Sequence, residues 1–288
     1  MLANTELLPA LLPALLAGGM AIAATLAVER WGGVVGGVLG SLPTTIVPAA
    51  LGLYAANRGI EAFHDALHVT PVGMLLNVGF LYLWRVLPDR LPQGSLAKRL
   101  ALMLFLSLSA WAVMAFLGVS LVEVASREGI RPFWLGLGAT VLTLGAGLAA
   151  TWTPRPAPKG KRKVSVPVVL ARGLLTAAAI GTSVLIARSA PEQGVGSLVA
   201  GIAAVFPAIF MTTMAGLWLS QGAAVPSGAV GPMMLGSCSV STFSLLAAWL
   251  MPELGAGPGA SLSWVLSISL VSLPVALWLR RGQASLAA

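Results

Sequence analysis

The chain has 288 residues, 57% of them hydrophobic and only 9% charged, and its mean hydropathy is +0.91. No soluble domain of this length carries so much apolar side chain, so the composition points to a polytopic membrane protein. A net charge of +8 would suit nucleic acid, but the basic residues stand in loops beside apolar runs, where they set topology; the single Cys238 excludes an intrachain disulfide and any multi-cysteine zinc site.

Apolar runs of about 17–25 residues, the length that spans a bilayer, fall near 7–28, 34–55, 70–87, 97–120, 132–152, 166–187, 195–219, 229–250 and 261–279. Nine transmembrane helices are therefore expected, the third short enough to be tilted or re-entrant. The only charge ahead of the first run is Glu6, and no basic n-region precedes it, so the run reads as a retained helix rather than a cleaved signal.

The second run opens with Gly32, Gly36 and Gly40, flanked by Gly33 and Gly37. Small residues four apart form a flat stripe on which another helix can approach closely. The stripe leads into Leu42-Pro43-Thr44-Thr45-Ile46-Val47-Pro48. A mid-span proline removes one backbone hydrogen bond and frees the carbonyl one turn earlier, here that of Leu39. In hydrocarbon such a carbonyl must find a partner or line a cavity.

Between the second and third runs lies Glu61-Ala62-Phe63-His64-Asp65-Ala66-Leu67-His68, which holds both histidines of the chain. On a helix Glu61, His64, Asp65 and His68 share one face. Three readings fit this segment: a solvated face in an outer loop, proton coupling through histidine, or a divalent-metal site with His64 and His68 one turn apart. In the third run Asn77 places an amide in mid-span, which faces either a partner or a pore.

After the fifth run comes Thr153–Lys163, TPRPAPKGKRK, rich in proline and basic residues. It reads as a cytoplasmic linker that anchors topology, with contact to anionic lipid as the alternative. The seventh run carries Gly196, Ala200 and Ala204, then Phe206-Pro207-Ala208-Ile209-Phe210-Met211-Thr212-Thr213. Here the proline frees the carbonyl of Ala203. The eighth is rich in small polar groups, Ser237, Cys238, Ser239, Ser241 and Thr242.

The sequence also repeats. Shifted by 164 positions, Pro43 falls on Pro207, Pro88 on Pro252, Gly32 on Gly196, Gly37 on Gly201, and Gly52-Leu53 on Gly216-Leu217. Tyr54 meets Trp218, Asn57 meets Gln221, Gly73 meets Ser237 and Asn77 meets Ser241. The histidine segment has no such echo, because its counterparts are Val225, Gly228, Ala229 and Pro232. Residues 1–122 and 166–288 then form two four-span units, joined by a linking helix and basic loop over 123–165.

With the N-terminus outside, 13 of the 17 Lys and Arg fall inside; Arg58, Arg127, Arg131 and Arg188 remain outside. The expected topology is N-out and C-in. Four spans return the chain to its starting side and a fifth carries it across, so the second unit enters the membrane inverted.

The runs Gly201–Phe210 and Gly231-Pro232-Met233-Met234-Leu235-Gly236 resemble the GlpM-like inner-membrane proteins. These are small four-span bacterial proteins with a Phe-Pro in the second helix, linked to alginate production and without an established biochemical activity. The resemblance covers 7–120 and 166–280, with Leu42 in place of the phenylalanine in the first half. It implies that this chain looks like a fused pair of such units. Small multidrug transporters show a similar design, but their mid-span glutamate is missing here.

No Walker A loop, no carboxylate cluster of an isoprenoid-processing enzyme, no HExxH and no Ser/His/Asp set is present, and no acidic residue sits at the centre of a span. An enzyme or a carboxylate-driven antiporter is thereby disfavoured, and no cofactor is expected. The expectation is an all-α integral membrane protein of the inner membrane. It would be a secondary transporter or facilitator of a small neutral, amphiphilic or lipid-like solute. The candidate site comprises Pro43, Thr44, Thr45, Asn77, Pro207, Thr212, Thr213, Ser237 and Ser241. Alternatives are a non-transporting scaffold for envelope or polysaccharide assembly, and divalent-metal transport through Glu61, His64, Asp65 and His68. The lipid bilayer is the expected partner, a homo-oligomer is compatible with this reading, and nucleic acid is not.

Overall fold

A computed structural model describes residues 2–31, 42–56, 59–152, 165–189, 195–222 and 224–287. Every regular element among them is helical, as hydrocarbon requires of a backbone that must satisfy its own polar groups. In chain order they are α1 (Leu2–Trp31), α2 (Ile46–Ala56), α3 (Ile60–Val86), a 3₁₀ turn (Pro88–Arg90), α4 (Leu96–Arg127), α5 (Pro132–Trp152) and α6 (Val166–Ser189). Then follow α7 (Val195–Ala203), α8 (Ala208–Gln221), α9 (Ala224–Leu254), α10 (Ala256–Ser267), a π stretch (Ile268–Ser272) and α11 (Leu273–Ala287).

Seven of these helical stretches are long and apolar enough to cross a membrane: α3, α4, α5, α6, the Val195–Leu219 stretch, Pro226–Leu254 and Ala256–Leu279. They coincide with the third to ninth expected runs. The first run falls in α1, where the apolar helical stretch is Ala10–Ala23, and the second is described only from Leu42 onward. The glycine stripe from Gly32 to Gly40 and Leu39 lie outside the described residues.

One boundary differs from expectation. The third run is not short, since α3 starts at Ile60 and continues for 27 residues. The Glu61–His68 segment is its first two turns rather than an outer loop. Ala62, Phe63, Ala66 and Leu67 are buried on one side, and that apolar face keeps the segment within the bundle while Glu61 stays exposed.

α3 is the axial helix. In its most apolar stretch 67% of residues are buried inside the protein, against 22% for α4 and for α5. α4 accordingly turns Phe105, Phe116 and Leu121 outward, where lipid is as good a neighbour as protein.

α3 packs along α9 and α1 along α6. Both pairs run antiparallel. Ser227 of α9 donates to the Trp84 carbonyl near the end of α3 at 3.2 Å, whereas His68 shares a surface with Leu245 further along α9. A Cβ built on Gly18 would lie 2.7 Å from the Gly173 carbonyl, and one on Gly181 would meet Ala14, so α1 and α6 pass in opposite senses.

α5 packs against both α3 and α9. Gly136 faces the His68 carbonyl, Gly147 faces Leu235, and Gly231 faces Ala150. Arg85 closes one end of this contact by donating to the Ala150 carbonyl at 2.6 Å. Trp218 of α8 donates to the Leu96 carbonyl at 3.3 Å and stacks edge-on against Trp84. Arg99 lies over the Trp218 ring, which gathers Arg85, Lys98 and Arg99 at one end of the bundle. In the Ala256–Leu279 stretch Ser272, at the close of the π stretch, donates to Ser239 of α9 at 2.8 Å.

Candidate functional site

The Val195–Leu219 stretch is interrupted. α7 stops at Ala203 and α8 starts at Ala208, with Pro207 buried between them. A proline at this point has no N–H to continue the helix. The Ala208 N–H bonds the Phe206 carbonyl at 2.7 Å, closing a three-residue turn around Pro207. The same turn surrounds Pro43, where the Thr44 N–H reaches the Leu42 carbonyl at 2.8 Å. Pro43 too is buried, and Thr44 and Thr45 lie half-buried between it and α2.

The carbonyl expected to be freed, that of Ala203, is not the one left over. It accepts from the Phe206 N–H at 3.1 Å, because the chain tightens by one residue as the helix ends. A side chain instead serves the Val205 carbonyl, which accepts from Asn77 Nδ2 at 2.7 Å. The other half of the amide is held as well, since Trp111 Nε1 donates to Asn77 Oδ1 at 2.8 Å. The Trp111 ring then packs edge-on against Phe206, with ring centroids 5.2 Å apart.

Two more hydroxyls reach the end of α7. Ser183 of α6 donates to the Ala200 carbonyl at 2.8 Å, and Thr70 of α3 lies 3.4 Å from the Gly201 carbonyl while bonding Ala66 at 3.0 Å. Thr70 and Asn77 of α3 and Ser183 of α6 thus converge on the end of α7, where the Ala200 and Ala203 carbonyls also accept from the Ala204 and Phe206 N–H groups as the helix closes. Glycines make this approach possible. A Cβ on Gly201 would lie 2.1 Å from the Ala66 carbonyl oxygen, and one on Gly73 would lie 2.4 Å from a Val205 methyl.

Beyond the break, Thr212 and Thr213 face α6. Arg172 Nε donates to Thr212 Oγ1 at 3.1 Å, and its terminal nitrogen bonds Thr213 Oγ1. The guanidinium fork spans two adjacent hydroxyls with a rigid planar geometry that the flexible ammonium of lysine does not reproduce. Arg172→Lys is therefore expected to lower the thermal stability of the solubilised protein, and Arg172→Met to lower it further. Equal melting temperatures for wild type and Arg172→Met would refute the contribution.

Of the residues marked in the sequence, the structure gathers Asn77, Pro207, Thr212 and Thr213 around the interrupted span. Ser237 and Ser241 are buried in α9 and bond back along their own helix, to Met233 at 3.1 Å and to Ser237 at 3.3 Å. Pro43 joins indirectly, because Ile46 after the first break and Ala204 and Val205 at the second belong to one buried apolar cluster. Sequence reasoning passed over Thr70, Trp111, Ser183 and Arg172. Only Arg172 carried a signal, as a basic residue within an apolar run.

The histidine rings lie 5.7 Å apart, and His68 packs edge-on against Phe133 of α5 at 5.4 Å. Among the described residues no three His, Cys, Asp or Glu side chains come together in a group that could hold a metal ion, so Glu61, His64, Asp65 and His68 do not form one.

These features define the class: a multi-pass, all-helical membrane protein with an interrupted span locked by interhelical hydrogen bonds. No family model, curated protein or solved structure matches the chain.

Proposed function

We propose that this protein is a secondary transporter or facilitator that moves a small neutral, amphiphilic or lipid-like solute across the inner membrane at the α7–α8 break. One observation carries the reading: a mid-span interruption whose carbonyl is met by Asn77 rather than by its own helix. Discontinuous spans with side-chain-served carbonyls are how transporters build sites near the midplane. Among the described residues the hydrogen bonds at the break come from Asn77, Ser183 and Arg172 and from no acidic side chain, which supports a solute without a positive charge.

An arrangement of two inverted four-span units, a fused GlpM-like pair, belongs to this proposal. The antiparallel pairing of α1 with α6 and of α3 with α9 supports it, as do the position of α5 against both α3 and α9 and the shared turn at Pro43 and Pro207. The gathering of Arg85, Lys98 and Arg99 at one end supports an N-out, C-in orientation. A second reading, a static scaffold for envelope assembly, is favoured by the fact that the Asn77 amide is engaged at both ends by protein groups.

Proteoliposomes carrying a fluorescently tagged phospholipid separate the two. Dithionite bleaching of the inner-leaflet probe is expected to proceed faster with protein than without, and more slowly with Pro207→Ala or Pro43→Ala of unchanged melting temperature. A bleaching rate equal to that of empty vesicles would sink transport of lipid-like solutes and leave the scaffold.

A further inference from the structure

A basic corner forms where the end of α3 meets the start of α4. Arg90 closes the 3₁₀ turn after α3, and Lys98 and Arg99 stand in the first turn of α4. Main-chain carbonyls hold two of them in place. Arg90 donates to the Val86 carbonyl at 2.9 Å and Arg99 to the Pro88 carbonyl at 2.8 Å, so both guanidinium groups dock on the same short stretch. Among the described residues none of Arg90, Lys98 and Arg99 forms an ion pair. Asp89 is the one acidic residue between Arg85 and Glu123, against the cations Arg85, Arg90, Lys98 and Arg99.

This corner stands at the level of a lipid headgroup. Tyr82 is 54% exposed, and Trp152, two residues past the Ala150 carbonyl that Arg85 holds, is 72% exposed. Exposed tyrosine and tryptophan collect at the membrane–water interface. Along α4 from Lys98, at i+3 and i+7, Ala101 and Phe105 are exposed as well. These positions share one helix face, so an outward apolar stripe leads up to a cation. Charge alone would serve to set topology. A stripe that ends at the charges also matches a molecule with an anionic head and an alkyl chain.

We propose that this corner binds the phosphate of an anionic glycerophospholipid, with one acyl chain lying along the Ala101–Phe105 face of α4. The exposed Lys98 ammonium and Arg90 guanidinium donate to the phosphate oxygens. Arg99, half-buried over the Trp218 ring, adds charge behind them. A zwitterionic headgroup brings its own cation into the same corner and binds more weakly. The lipid is a resident one, and its binding stands whether or not the protein moves a solute, so its failure is separable from failure of the flux experiment.

Native mass spectrometry of the full chain, titrated with dioleoyl phosphatidylglycerol, dioleoyl phosphatidylcholine or inorganic phosphate, reads occupancy directly. The first phosphatidylglycerol is expected to bind about tenfold more tightly than the first phosphatidylcholine. Lys98→Gln and Arg90→Gln should each weaken phosphatidylglycerol about fivefold, the worth of one cation near an anionic lipid, and phosphatidylcholine less. Both side chains are exposed, so neither variant should change the melting temperature. Lys98→Arg should retain binding. Arg131→Gln, which removes an exposed cation past the far end of α4, should alter neither lipid. Phe105→Ser should weaken both lipids, because it shortens the apolar stripe. Equal affinity for the two lipids, or equal losses for Lys98→Gln and Arg131→Gln, overturns the proposal and leaves a plain topology anchor. Displacement of the lipid by inorganic phosphate at matching concentration overturns it in favour of a free anion.

Discussion

Asn77→Leu is expected to destabilise the protein by about 2–3 kcal/mol. The substitution keeps the branching and heavy-atom count of the side chain but removes two hydrogen bonds at once. It leaves the Val205 carbonyl and the Trp111 indole N–H without their partner in the bundle interior. A buried orphan costs about 1–3 kcal/mol, whereas interhelical hydrogen bonds measured in membranes average only about 0.6 and reach about 1.7 kcal/mol. The lower membrane values reflect unfolded states that find other partners. They apply less here, because the Val205 carbonyl lies at a break where its own helix cannot take it back. Titration with a denaturing detergent, against wild type, gives the difference directly. Trp111→Phe removes the same N–H, so the double variant should lose less than the sum of the singles by about 0.5 kcal/mol or more. Strict additivity, or a loss below about 0.5 kcal/mol for Asn77→Leu, would show that the amide does not hold the break.

Gly136→Ala should cost as much or more. A Cβ there would sit 2.1 Å from the His68 carbonyl oxygen, and real Cβ contacts essentially never fall below 3.0 Å. The obstacle is backbone, so no rotamer change relieves it. α3 and α5 must separate by roughly an ångström, and overpacking of this kind costs about 1–3 kcal/mol, sometimes more. Gly138, two residues along the same helix, has nothing within 4 Å of its built Cβ. Gly138→Ala should therefore be neutral or stabilising by up to about 1 kcal/mol, since alanine is the better helix former. The contrast isolates packing from propensity: similar unfolding midpoints for the two variants would show that the close α3–α5 approach is not needed. Gly201→Ala, aimed at the Ala66 carbonyl across the α3–α7 contact, belongs with Gly136→Ala.

Hydropathy read along the chain located seven long helices well, because each run must satisfy the same bilayer thickness whatever it packs against. It placed the start of α3 near 70 rather than at Ile60, because charges at Glu61 and Asp65 interrupt the apolar run although the helix continues beneath them. Periodicity showed a charged face and could not tell a loop from a helix whose other face is buried. Pro207 marked the break between α7 and α8, and α2 starts only after Pro43, but the rule that the carbonyl four residues earlier is freed assumes a continuous helix. Once α7 ends at Ala203 a tighter turn takes that carbonyl, and the residue needing help moves to Val205.

What composition and order alone determine is the class. Continuous apolar runs of this length satisfy their backbone in lipid as helices, since barrel strands are shorter and alternate apolar with polar residues. Proline alone does not place the breaks, because Pro71 lies inside continuous α3 and Pro232 inside continuous α9, whereas the helix ends before Pro207. What only the tertiary structure decides is which group answers each break. Asn77 and Val205 are 128 positions apart, and Arg172 and Thr213 are 41 apart. Such bonds depend on Gly73 and Gly201 letting particular backbones approach, a property of two helices together that no local pattern encodes. The same holds for His64 and His68. In the sequence they resemble a metal clasp; in the fold they line an apolar recess, because α5 and α9 supply walls instead of further ligands.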